Sequence, residues 1–199
     1  MKDIQEYRGI RGLVAAEVKT DGEDYSCDTP FAVAGVAELS RTTESSSESH
    51  YYDNIPAVVI DSTGADEVTI TVSAIPLDVL AKITGQTYDE ETGMLIEGER
   101  ESKYFAIGYI TERTDGTEMF VWRLKGKFNI PDSTHVTKDD GAEANGQELT
   151  FTGINTTCRF SKAGDKTAKA VIVDTSVNTT IKEETFFATV HTPDTIATA

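Results

Sequence analysis

The sequence predicts a mainly β protein, a β-sandwich or partly open barrel with one short flanking α-helix at about residues 76–84. Three observations point there. Glu67-Val68-Thr69-Ile70-Thr71-Val72-Ser73 alternates apolar and polar residues, so one face is apolar and the other polar. Thr114-Asp115-Gly116-Thr117 is a turn signal between two long apolar-rich runs, as in a β-hairpin. The only convincing helix opens at Pro76, shows Leu77, Val79, Leu80 and Ile83 on one face, and has Gly85 placed to end it. A helix that short needs a sheet to lie against.

The elements follow in chain order. Gly12 to Val18 reads as a first strand, with Asp21-Gly22 as a turn after it. Phe31 to Leu39 reads as a second, with Gly35 inside it. Residues 40–53 (Ser-Arg-Thr-Thr-Glu-Ser-Ser-Ser-Glu-Ser-His-Tyr-Tyr-Asp) are polar, acidic and without periodicity, and are expected to form a long loop. The chain becomes apolar again at Ile55 to Ile60 and alternates at Glu67 to Ser73. After the helix, Tyr88 to Glu101 is an acidic connection around the turn Glu91-Thr92-Gly93. Tyr104 to Thr111 and Phe120 to Phe128 are the arms of the hairpin. Asp139-Asp140-Gly141 and Asn145-Gly146 mark a further loop. Leu149 to Ile154 and Ala168 to Val173 read as further strands, and Thr185 to Val190 as a candidate final strand or arm. The expected organisation is one domain over 1–199 with a C-terminal arm from about residue 175.

The second hairpin strand carries the strongest pattern. Simple alternation places Phe120, Trp122, Leu124 and Phe128 on an apolar face and Val121, Arg123, Lys125 and Lys127 on the other. Three cations on one face stand out in a chain with 18 basic against 34 acidic residues and a formal net charge of −16. That balance argues against general duplex-DNA binding, which needs cations to displace the counterions around phosphates.

Catalytic and metal-binding signatures do not emerge. His50, His135 and His191 are scattered, Cys27 and Cys158 form no CxxC pair, and no GxSxG, P-loop or GxGxxG stretch occurs. Asp89-Glu90-Glu91-Thr92-Gly93 fails the spacing of a calcium loop. The expectation is a non-enzyme without cofactor or metal. No apolar run is long enough to span a bilayer as a helix, and Met1 to Glu6 lacks a signal-peptide pattern, so no membrane partner is expected.

The order of features resembles the phi13-type major tail proteins of long-tailed bacteriophages. The likeness begins at Asp28-Thr29-Pro30 and Phe31 to Val36 and runs through the Ser/Glu-rich segment to Tyr51-Tyr52-Asp53. It continues in Ile75-Pro76-Leu77-Asp78-Val79-Leu80-Ala81-Lys82-Ile83-Thr84-Gly85, then Asp115-Gly116. It closes on Val121-Trp122, Lys125-Gly126-Lys127-Phe128 and Leu149-Thr150-Phe151-Thr152. It covers roughly residues 10 to 160.

The resemblance implies a tail tube subunit made in the host cytoplasm and incorporated into the virion. Six such subunits would close a ring, and rings would stack into a conduit for genome ejection. The implied partners are further copies of the chain, the tape measure protein and viral DNA passing through the lumen without specific binding, and the tail terminator and distal tail proteins. A net-negative lumen would repel DNA and keep it moving. Candidate inter-subunit or inter-ring contacts are Glu44, Ser46, Glu48, Tyr51 and Tyr52 in the polar segment, with Arg123, Lys125 and Lys127 meeting carboxylates of the same or the next subunit. Pro76, Leu80, Gly85, Trp122, Phe128 and Phe151 are expected to build the core and its helix. Two other readings stand beside this one: another virion β-protein, such as a tail terminator or capsid decoration protein, and a bacterial carbohydrate-binding β-sandwich.

Overall fold

The computed structural model describes residues 4–135, 137 and 146–197. Its strands, in chain order, are β1 (Tyr7–Asp21), β2 (Tyr25–Cys27), β3 (Phe31–Ala32), β4 (Val36–Tyr52) and β5 (Ile55–Val72). Helix α1 (Leu77–Thr84) follows, then β6 (Thr87–Asp89), β7 (Met94–Ile96), β8 (Phe105–Arg113), β9 (Glu118–Phe128) and β10 (Gln147–Gly153). A 3-10 turn at Ser161–Ala163, β11 (Ala170–Asp174) and the four-residue helix α2 (Glu183–Phe186) complete the described chain. The expected loop at 139–145 lies outside the described residues.

The main sheet runs β2-β1-β8-β9-β10-β5-β4, and every pairing in it is antiparallel. β3 adds to β1, and β11 adds to β9 beside β10. The sheet curls into an open half-barrel, the second of the two forms expected. β8 and β9 lie at its centre, which is why Phe105 to Ile110 and Phe120 to Leu124 are buried without a break. Alternate side chains of these strands enter two apolar clusters on opposite faces.

The first cluster lies inside the curl. Leu13, Val68, Ile70, Phe105, Ile107, Leu149 and Phe151 meet there, with Val79, Leu80 and Ile83 of α1 closing over them. Leu77, expected on the apolar face of α1, is about half exposed instead. Pro76 precedes the helix with φ −56°, a value its ring imposes in any case. Gly85 ends the helix in the left-handed region at φ 74°, donating its N–H to the Ala81 carbonyl at 2.8 Å. A side chain there is also excluded by space, because a Cβ would sit 1.9 Å from the Glu101 carbonyl oxygen.

The second cluster covers the outer face. Trp122, Leu124, Phe120, Ala106 and Ile110 are sealed by Phe160, Phe186 and Phe187 from the C-terminal segment. Trp122 is fully buried, its indole Nε1 donates to the Phe186 carbonyl at 3.1 Å, and its ring packs on Phe187. The strand expected at Thr185 to Val190 is therefore a short helix and turns folded onto the chain's own sheet. Its aromatic residues read as strand by composition, but they serve as a lid.

A bulge in β9 corrects the alternation expected for this strand. Arg123 pairs with Ile107 but Gly126 pairs with Phe105, so β9 carries one residue more than its partner. The parity of the side chains flips there. Phe128 leaves the face of Trp122 and joins the first cluster, 5.2 Å centroid to centroid from Phe151 and 5.6 Å from Phe105. Gly126 has no room for a side chain, since a Cβ would lie 2.3 Å from the Phe151 ring.

Candidate assembly surface

The segment read as a loop at 40–53 is strand up to Tyr52, with Asp53 opening the turn. β4 pairs with β5 along its length, from Val36↔Val72 to Tyr52↔Ile55. Ser, Thr and Glu hid this because both faces of β4 are wet, so no period-2 pattern could form. The overlooked signal is the turn. Asp53 (φ 52°) and Asn54 (φ 64°) both lie in the left-handed region, as a two-residue type I′ hairpin requires, and Asp and Asn are among the residues that adopt it most readily.

Only the first part of this hairpin belongs to the sheet. β10 pairs with β5 from Val72 to Asp66 and stops there. Residues 55–65 continue with β4 as their only strand partner among the described residues. At about 3.4 Å per residue they make an arm reaching roughly 35 Å from the sheet. Among the described residues, no further strand pairs with the outer backbone edge of either arm strand.

Its side chains are unlike an ordinary solvated loop. Tyr51, Tyr52 and Ile55 are each 65% exposed, and Val58, Val59 and Ile60 between 47% and 56%. Val58 and Ile60 lie opposite His50 and Glu48 on one face, and Val59 opposite Ser49 on the other. Ser46 meets Ser62 across the ladder, Oγ to Oγ at 2.6 Å. Glu44, Ser46, Glu48, Tyr51 and Tyr52 are thus all on this exposed arm. The aliphatic residues Ile55, Val58, Val59 and Ile60 escaped the list of candidates because an apolar run in sequence reads as core.

The three cations of β9 do not share a face. Arg123 enters the curl, only 5% exposed, and donates to Asp66 Oδ2 at 2.8 Å and Tyr109 Oη at 3.2 Å. Beyond the bulge, Lys125 lies on the opposite face and bonds Asp21 Oδ2 at 2.5 Å. Asp21 also accepts the backbone N–H groups of Thr157 and Cys158, tying the end of β1 to the segment after β10. Lys127 lies half-buried over the Tyr104 ring, 4.5 Å from its centroid. Arg123 and Lys125 therefore meet carboxylates of their own chain, the first of the two alternatives expected for them. The bulge is why the three cations do not share the face expected of them, because it separates residues that simple alternation groups together.

Asp66 sits where the arm leaves the sheet and is 3% exposed. Besides Arg123 it accepts from Lys169 Nζ at 2.9 Å, and Arg41 approaches to 3.5 Å. Burial alone pushes this carboxyl up. Hydrogen bonds from Lys169 and Thr43, with the charges of Lys169 and Arg123, outweigh it and hold the group below the ordinary aspartate value.

Asp89, the first residue of the calcium-like stretch, accepts the N–H groups of Glu91 and Thr92 and the Thr92 hydroxyl, which makes it the closing residue of the β6–β7 turn. Among the described residues no three His, Cys, Asp or Glu side chains stand together as a metal site. No helix among them is long and apolar enough to cross a membrane. The residues do supply a projecting two-stranded arm with open edges and an apolar tip, anchored by a buried charge cluster. Such edges pair with another chain or aggregate.

Comparison with curated proteins found no match. A family model described as phage tail tube protein matches residues 42–176, more than half of the chain, taking in the arm, α1, the β8–β9 hairpin, β10 and β11.

Proposed function

Because the chain belongs to the phage tail tube protein family, we propose that its copies close into six-membered rings that stack as the hollow conduit for genome ejection. The protein is a structural component of the virion tail, from a family that assembles into a tube. The observation carrying the ring-and-conduit proposal is the β4–β5 arm. An isolated two-stranded ribbon with six large apolar side chains in water is a poor stable state for a lone subunit. Against a second subunit, its backbone edges gain hydrogen-bond partners and its tyrosines and aliphatic residues gain contacts.

The open sheet supports ring closure in the same way. It ends at β2 on one side and at β4 on the other, two different edges. Different edges meeting head to tail close a ring by rotation, and translation along the axis stacks the rings. The net charge of −16 suits a wall that holds no phosphate. The tape measure protein and the DNA would pass through the lumen, with terminator and distal tail proteins at the ends. Trp122 is buried in the subunit core and presents no face for a sugar to stack on.

The test is arm removal. Residues 46–62 are replaced by an Asn-Gly turn joining Ser45 to Thr63, a cross-strand pair in the ladder. The shortened chain is expected to fold with an unchanged urea midpoint and to form no tubes under negative-stain microscopy, while the intact chain polymerises. Tubes of normal length from the shortened chain would remove the arm from the assembly.

A further inference from the structure

A pocket of about 440 Å³ lies at the root of the arm, lined by Arg41, Thr43, Asp66, Arg123, Lys169 and Ile172 among others. It contains three cations and one carboxylate. Asp66 is already shared by all three cations, so the pocket keeps an excess of positive charge in a strongly acidic chain. The inner two are fixed, since Arg123 also bonds Tyr109 and Lys169 also donates to the Gly64 carbonyl. The outer one, Arg41, keeps about half of its side chain in solvent at the mouth. Beside it Ile172 of β11 is 55% exposed.

The matching surface is elsewhere on the same chain. Residues 89–101, the β6–β7 hairpin and its exit, contain six carboxylates and one arginine. Asp89 is occupied in the turn, but Glu90, Glu91, Glu97 and Glu99 are exposed, and none forms an ion pair among the described residues. Between them Met94 and Ile96 are 49% and 47% exposed. An apolar centre with an acidic border is the complement of Ile172 bordered by Arg41 and Lys169.

We infer that the β6–β7 hairpin of one copy docks on the arm-root pocket of the next, its glutamates facing Arg41 and Lys169 and its Met94 and Ile96 covering Ile172. This rests on the tube reading above and adds a second contact to the arm, one set by charge. Self-complementary charge of this kind fixes the register between copies more than it adds affinity. It also makes assembly sensitive to salt, because the groups at the mouth are open to solvent.

The experiment is a double-mutant cycle read by polymerisation of the full chain. One variant is Arg41→Gln, the second has Glu90, Glu91, Glu97 and Glu99 all changed to Gln, and the third combines them. Urea midpoints first establish that each variant folds as the wild type does. Each single set is expected to raise the critical concentration for tubes by about tenfold at low salt, roughly 1.4 kcal/mol per contact. The combined variant should be little worse than either set alone, and the salt dependence of assembly should flatten in all three. Additive losses, or tubes unaffected by both sets while the wild type polymerises, would overturn the docking and leave the tube reading standing. A wild type that forms no polymer would overturn both. Should Arg41→Gln fail to fold, Ile172→Ser replaces it, with the same pattern expected against Met94→Ser.

Discussion

The β8–β9 hairpin and the β4–β5 arm are both antiparallel ladders of one sheet, yet one is buried on both faces and the other on neither. Phe105 to Ile110 lie between two apolar clusters, so each of these residues contributes to folding of the subunit. Residues 44–55 and 57–64 are all exposed. Their backbone pairing gives the arm shape, but their side chains have little to stabilise within the chain. The contrast separates two jobs: the centre of the sheet holds the subunit together, and in the assembly proposed above its extension serves another subunit.

The sharpest way to break that division is at Trp122. Trp122→Ala removes a fully buried indole and its hydrogen bond to Phe186, and should cost about 3–5 kcal/mol. Urea denaturation would show it as a lower midpoint, and the C-terminal segment should become protease-sensitive because its lid has lost its seat. A midpoint within experimental error of wild type would mean that the outer cluster contributes little to folding.

Asp66 stands at the boundary between the two regions, and its effect should be intermediate. Asp66→Asn leaves three cations without their carboxylate and should cost about 1–3 kcal/mol at neutral pH. The folded-state pKa is lowered, so the unfolded chain takes up the proton first as the pH falls. The stabilisation is fully present above the unfolded value of about 4 and is lost as pH falls through the folded value. The gap in urea midpoint between wild type and Asp66→Asn should therefore close in acid. A gap that stays constant down to pH 2 would show that the charge of Asp66 is not what stabilises the root of the arm.

The smallest effect on folding is expected at the tip. Tyr51→Ser with Tyr52→Ser should change subunit stability by no more than about 0.5 kcal/mol, since both rings are in solvent. The same pair should reduce tube yield measured by sedimentation. A large loss of subunit stability would mean that the arm folds back on its own chain.

Much of the centre was legible in the sequence, and little of the arm. The helix could be read because Pro76 and Gly85 mark its ends locally and Leu80 and Ile83 share a face. The β8–β9 turn could be read because Asp115-Gly116 suits a tight turn. Phe151 and Trp122 were recognised as core because large apolar side chains in alternating runs have few other places to go. The arm failed this test because periodicity reports burial, and a strand exposed on both faces has none. Of the candidate contacts, Glu44, Ser46, Glu48, Tyr51 and Tyr52 do stand together on the arm, whereas Arg123 and Lys125 are taken up within the subunit.

The sequence by itself determined the β class, the helix and its caps, the central hairpin and, through the resemblance, the family. These depend on interactions within about ten residues or on the pattern of burial. The tertiary structure alone decided where the ladder runs on without a core, where the β9 bulge reverses the side chains, and which carboxylate meets which cation. Asp66 and Arg123 are 57 residues apart in the chain. Their meeting depends on how the sheet curls, and no local preference encodes that.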